Sequence, residues 1–227
     1  MANPVLGTLN YHSYLDVDTL VKPWLRMTPT NTSYDTVLNL IAESVCVQAQ
    51  RFIGGPLAPY LFTPDDGIGK FDGAASLNSG YIVLPYVPVI QIVSVTEYQG
   101  DSPVTLYEVD PGGVVGAQGN YDGYQINYKT GLITRVLGGV WNRPFFPGSN
   151  NVHISWIAGY NPIPADIIRV SLQWVAHIFR NEYQQSVAQS PTPIQEYEPS
   201  ESGSDAFSGM PYAVRSVLQS YMDPGVM

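Results

Sequence analysis

Charge is what this chain has least of. Only 13% of its 227 residues are Asp, Glu, Lys or Arg, against roughly 25% in an ordinary soluble domain. A surface so thinly charged suits coverage by partner proteins, and sixteen tyrosines add the amphipathic contact area enriched at interfaces. Basic residues are scarcer still: ten against nineteen acidic ones leave a formal charge of -9. That sign is wrong for gripping nucleic-acid phosphates by counterion release. A single cysteine, Cys46, excludes an internal disulfide and fits a reducing compartment. No apolar run is long enough to cross a membrane. The opening MANPVLGTLNYHSY has no positive start and is interrupted by Asn3, Pro4, Gly7 and Asn10, so no signal peptide is expected.

Catalytic patterns are equally sparse. His12, His153 and His177 lack the spacing of metal ligands. Asp65, Asp66 and Asp72 in TPDDGIGKFDG fail the ligand spacing of a calcium loop. Gly112, Gly113, Gly116 and Gly119 do not sit between a strand and a helix, as a phosphate cradle would. No Gly-x-Ser-x-Gly elbow occurs, and Cys46, on an apolar helical face, lacks the electropositive, accessible setting of a nucleophile. A convergent acid pair such as Asp65 with Asp110 stays open, because sequence does not give distance. The expectation is a chain with no catalytic, cofactor or metal site, hence not an enzyme.

What is present is a change of rhythm within VHISWIAGYNPIPADIIRVSLQWVAHIFR, residues 152–180. Val152, Ile154, Trp156 and Ala158 alternate with His153, Ser155 and Ile157 at the period of a half-buried strand. After Gly159, Asn161 and Pro162 supply turn chemistry. Pro164 suits a first helical turn, and Asp166 suits the positive end of a helix dipole. A helix is expected from Pro164 to about Tyr183. It carries two apolar rows: Ile167, Val170, Trp174 and Ile178 beside Ile168, Leu172, Val175 and Phe179. Arg169, Gln173, His177, Arg180 and Asn181 fill an arc of roughly 120°, and Ser171 is the lone polar residue opposite. The apolar arc is about twice what one core requires. Either the helix is central to a bundle, or a second subunit covers its extra face.

Earlier in the chain, Asp16 or Asp18 can cap a short helix in LDVDTLVKPWLRM, which Pro23 should kink or delay. Thr32 to Asp35 has the capping-box spacing, and Val37, Leu38, Ile41, Val45, Ala49, Phe52 and Ile53 recur helically until Gly54 and Gly55. Residues 56–158 then turn rich in Gly, Pro, Tyr and Val, with strands expected at 81–84, 89–98, 105–109, 124–128, 132–137 and 152–157 and a tight link at Lys129, Thr130 and Gly131. A Pro, Ser and Glu-rich stretch, 186–209, reads as a linker. It leads to a short amphipathic helix with Pro211 in its first turn and Val214, Val217, Leu218 and Tyr221 on one face. Such a helix is marginal alone, so it must dock on its own core or on another protein. The fold class expected is α+β: a small helical bundle (15–55 and 159–185) with a large antiparallel β insertion (56–158), an amino-terminal arm (1–14) and a tethered C-terminal helix (210–227).

The order DVDTLVKPWLRM, then a helix ending QRFIGG, then IVLPYVPVIQIVSVTEY, then KTGLITRV before the strand-to-helix join with its Gly-Tyr, Pro and Asp, resembles the head-tail adaptor (connector) proteins of long-tailed bacteriophages. The resemblance spans roughly residues 15–183, and PYAVRSVLQSY is similar to the tail ends of such adaptors. The chain departs from shorter members in an enlarged β region, about 99–151. The resemblance implies a structural virion protein of the neck, assembled in the host cytoplasm and lying between capsid and tail. It would form a ring of twelve copies that binds the portal protein and a stopper or tail-terminator. Genomic DNA would pass through without specific binding, the acidic balance repelling it. Ile168, Leu172, Val175 and Phe179 would face the neighbouring subunit of a closed heterologous ring. Pro211, Tyr212, Val214, Val217, Leu218 and Tyr221 would dock on the portal. The alternatives weighed are a stopper or tail-terminator protein itself and a carbohydrate-binding β protein.

Overall fold

The computed structural model describes residues 13–75, 80–109, 122–137, 141–180 and 210–222. The chain divides into a β unit, Pro56–Asn161, and a helical unit made from the segments on either side of it, Tyr11–Gly55 and Pro162–Met227. The fold is α+β, as the sequence predicts.

The helical unit opens with a π-helical turn, Val17–Val21, that runs into α1 (Lys22–Trp24). Asp16 caps it, its Oδ1 accepting the Thr19 N–H at 2.7 Å. The disturbance expected from Pro23 takes the form of this wider turn, in which the Val21 N–H reaches back to the Asp16 carbonyl at 3.2 Å and a proline without an N–H then fits early in the next turn. Lys22 is buried; its ammonium donates to Asp18 Oδ1 at 2.6 Å and to the Pro29 carbonyl at 3.0 Å, and it forms an ion pair with Asp35 Oδ1 at 2.7 Å. That arrangement pins α1 to the start of α2 (Asp35–Ile53).

One expected capping box is absent and another forms elsewhere. The Thr32–Asp35 capping box does not form: α2 begins only at Asp35, after Tyr34, with no side-chain cap. Asp35 instead turns to Lys22, whose buried ammonium would be costly to leave without a carboxylate beside it. A capping box forms at Thr63, which exchanges hydrogen bonds with Asp66 around a short 3-10 turn. At its other end α2 stops as expected, with Gly54 at φ +85°, a left-handed value that a side chain would oppose. α3 (Ala165–Ile178) and α4 (Tyr212–Gln219) complete the unit. Pro164 and Pro211 each stand one position before their helix, as N-caps, rather than inside the first turn.

In the β unit the strands are β1 (Tyr60–Phe62), β2 (Lys70–Phe71), β3 (Tyr81–Val83), β4 (Val89–Gln99), β5 (Ser102–Glu108), β6 (Asp122–Asn127), β7 (Leu132–Leu137), β8 (Trp141–Arg143) and β9 (Val152–Ala158). They hydrogen-bond in the order β1-β9-β4-β5-β6-β7-β3, with β2 also on β9 and β8 on β7. Pairing is antiparallel except between β5 and β6, which run parallel where Tyr107 meets Gly123 and Glu108 meets Tyr124. The sheet is therefore mixed, a correction to the purely antiparallel insertion expected. It curls, because Phe62 at one end and Ile82 at the other enter the same core with Ile133, Phe145 and Trp156. Phe62 stacks on Trp156 at 4.9 Å and on Tyr86 at 4.6 Å. The alternation in β9 holds throughout, with Val152, Ile154, Trp156 and Ala158 all fully buried. Along β4 the inward residues are Val89, Ile92, Val95 and Glu97, because register shifts between Val89 and Gln91 and between Ile92 and Ser94 reset the phase.

Candidate interaction site

α3 lies between other parts of its own unit. It packs against α2, α4 and the Val17–Val21 turn, and this explains why its apolar arc is so wide. Of the four residues expected to face a neighbouring copy, Leu172, Val175 and Phe179 are buried within the chain, and Ile168 is half-buried. Phe179 meets the ring of Tyr34 edge-on at 5.6 Å. The interface expected on this row is therefore corrected: the helix is central to its own bundle, and these side chains are already used. Ser171, the polar exception, is buried as well, its Oγ 2.7 Å from the Tyr14 hydroxyl. Tyr14 thus belongs to the bundle and not to an irregular arm. Arg169, Gln173, His177 and Arg180 form the exposed side of the helix; Asn181 lies outside the described residues.

The C-terminal helix is likewise already docked. Val214 and Leu218 are buried on a helix that packs against α3 and α2, and Met210, two residues before the helix, is buried as well. Arg215 places its guanidinium 5.9 Å from the centre of the Phe52 ring. Tyr221 donates its hydroxyl proton to the Asp166 carboxylate, whose two oxygens lie at 2.9 and 2.8 Å, while Asp166 also accepts the Ile167 N–H. The expectation that Val214, Leu218 and Tyr221 are offered to a portal is therefore corrected for this state: their partner is their own core. Pro211 and Val217 are half-buried, and Tyr212 is 85% exposed. The 186–209 linker lies outside the described residues.

The β unit holds a polar centre of another kind. Arg135 and Glu97 are both completely buried, with Nη2 and Nε of the arginine 3.0 and 3.1 Å from Glu97 Oε2. Gln99 donates to the same oxygen at 2.9 Å, and the Phe146 N–H donates to Oε1 at 2.6 Å. The loop after β8 is fastened again by Asp72, which accepts from Ser149 Oγ and the Asn150 N–H, and by Asn151, which donates to the carbonyls of Phe146 and Tyr98. These contacts hold the loop in one conformation, with Arg135 Nη1 left as a buried atom that makes no hydrogen bond. The pair escaped the sequence analysis although a signal existed: Glu97 follows Val95, and Arg135 follows Ile133, each at the inward phase of its strand.

The remaining candidates take structural places. Among the described residues no group of His, Cys, Asp and Glu is set to hold a metal. His153 Nε2 lies 3.1 Å from the Asn150 carbonyl, Asp66 serves the Thr63 turn, and Asp72 serves the loop. His12, Asp110 and the run Gly112, Gly113, Gly116, Gly119 lie outside the described residues. Cys46 is buried, with Ser13 Oγ 3.5 Å from its sulfur, and burial pushes its thiol pKa up. No protein-family model matches the chain, and no curated protein matches it.

Proposed function

We propose that this chain is a structural virion protein, a head-tail adaptor that joins the portal of a filled capsid to the tail as a ring of copies and acts without turnover. The observation that carries the proposal is the division of the chain. A helical unit is assembled from segments before and after an inserted β unit, the order that the resemblance to connector proteins implies. Thin charge supports the same reading, as do apolar side chains left exposed on each unit. Leu40 is 68% exposed and Tyr212 85% in the helical unit, and Tyr107 is 73% exposed in the β unit. Ring contacts in this proposal fall on such residues, since Leu172, Val175 and Phe179 are consumed by the bundle. Portal contact begins at Pro211 and Tyr212, because Val214 and Leu218 are covered. A stopper or tail-terminator would be the next partner, and the acidic chain would let DNA pass without holding it.

The test mixes the purified chain with isolated portal and follows co-sedimentation and negative-stain particles. A ring-shaped complex on the portal is expected. A chain that ignores the portal and binds only purified tail components would make it a stopper or terminator. Binding to neither, with signal on a glycan array, would replace the proposal with carbohydrate recognition.

A further inference from the structure

We infer that α4 is an exchangeable clasp, which docks on its own bundle in an isolated chain and on the identical groove of a second copy when copies are crowded. The groove between α2 and α3 has a known occupant, because the structure holds one there. Its contacts are Val214, Leu218 and Met210 buried, Arg215 over Phe52, and Tyr221 on Asp166. α4 packs on both α2 and α3, Arg215 reaches Phe52 of α2 and Tyr221 reaches Asp166 of α3, so these contacts can be made equally well by the α4 of a neighbouring copy.

Two magnitudes make exchange accessible. An eight-residue helix is marginal by itself in water, so its order depends on the contacts it makes in a groove, of which each buried aliphatic side chain contributes about 1.5–3 kcal/mol. Residues 181–209 separate Arg180 from Met210; those 29 residues can extend to about 100 Å at most. A connection of that length permits reach to another molecule, and it sets the competing effective concentration in cis at about the millimolar level. Copies held side by side reach comparable local concentrations, so the clasp can pass from one bundle to the next, the low-cost route by which identical elements link protomers. The inference stands whether or not the assembly is a phage neck.

The experiment pairs two full-length variants. The acceptor carries Leu218→Asp, which disables its own clasp and vacates its groove. The donor carries Asp166→Ala, which weakens its own groove and leaves its clasp intact. Native mass spectrometry should show a one-to-one heterodimer, with the donor binding roughly tenfold more tightly than the unsubstituted chain, since a hydrogen bond to a carboxylate no longer holds its helix at home. No heterodimer up to about 1 mM, the effective concentration above which trans docking should win, would overturn the inference. So would a heterodimer that persists when the donor also carries Leu218→Asp. A measurement on the unsubstituted chain removes dependence on variants that fold poorly: by sedimentation equilibrium its average mass should climb from monomer toward dimer as concentration passes about 1 mM. A flat profile would sink the inference.

Discussion

Arg135 and Glu97 meet at 3.0 Å with neither side chain touching solvent, and the carboxylate's other oxygen holds the Phe146 N–H at 2.6 Å. A buried ion pair of this kind contributes little net stability, because desolvation offsets attraction, but removing one partner strands the other. Its role here is to select one conformation of the loop from Phe145 to Asn151.

Arg135→Met should therefore destabilise the β unit by about 3–5 kcal/mol, while Arg135→Met with Glu97→Leu should recover much of that loss. Urea unfolding of the single and double variants, read as a double-mutant cycle, checks it. Additive losses would mean that the two charges do not act as a pair.

Leu38 and Leu40 stand two positions apart on α2, one fully buried and the other 68% exposed. Leu38→Ala should cost about 2–5 kcal/mol. Leu40→Gln should lie within about 0.5 kcal/mol of the parent chain and, under the proposed function, should weaken self-assembly all the same. Thermal unfolding and light scattering separate the two effects.

Tyr124 has its hydroxyl pKa pushed up to about 12, by burial first and by the nearby Glu108 carboxylate second. An unfolded tyrosine ionises near 10. Below pH 10 both states keep the proton and the contribution is whole. Between 10 and 12 the unfolded chain releases its proton before the folded one does, so stability falls as pH rises. Tyr124→Phe should flatten that alkaline slope in a series of urea midpoints.

Cys46 is buried and its thiol pKa is raised, so little thiolate is available at neutral pH. A disulfide exchange reagent should label it only at the rate of unfolding, and fast labelling of the native chain would contradict this placement.

Much of the architecture was legible because it rests on periodicity. The alternation of Val152 to Ala158, the helical recurrence through Phe52 and the stop at Gly54 all depend on residues within a turn or two of each other. β1, β2 and β8, two or three residues long, were missed because such segments are too short to show a period and form on the edges of β9 and β7. The width of the apolar arc on α3 was read correctly, but what covers it was not. Helical spacing shows that Leu172 and Val175 must be hidden; it cannot show that α2, α4 and the Val17–Val21 turn all pack on the same helix. The Asp166–Tyr221 bond is invisible for the same reason, and so is the Lys22–Asp35 pair, since each joins residues whose separation obeys no repeat; Asp18 and Lys22, by contrast, stand at the helical i,i+4 spacing.

The interruption of the helical unit by the β unit imposes a schedule on synthesis. α2 ends at Ile53 and α3 begins at Ala165, so at about 5–20 residues per second the first helix leaves the ribosome some 5–20 seconds before its main packing partner exists. During that wait Leu38, Val45 and Phe52 have no core to enter. The β unit, complete in sequence by Asn161, is free to fold meanwhile, and the last helix to emerge is the one that shuts the bundle.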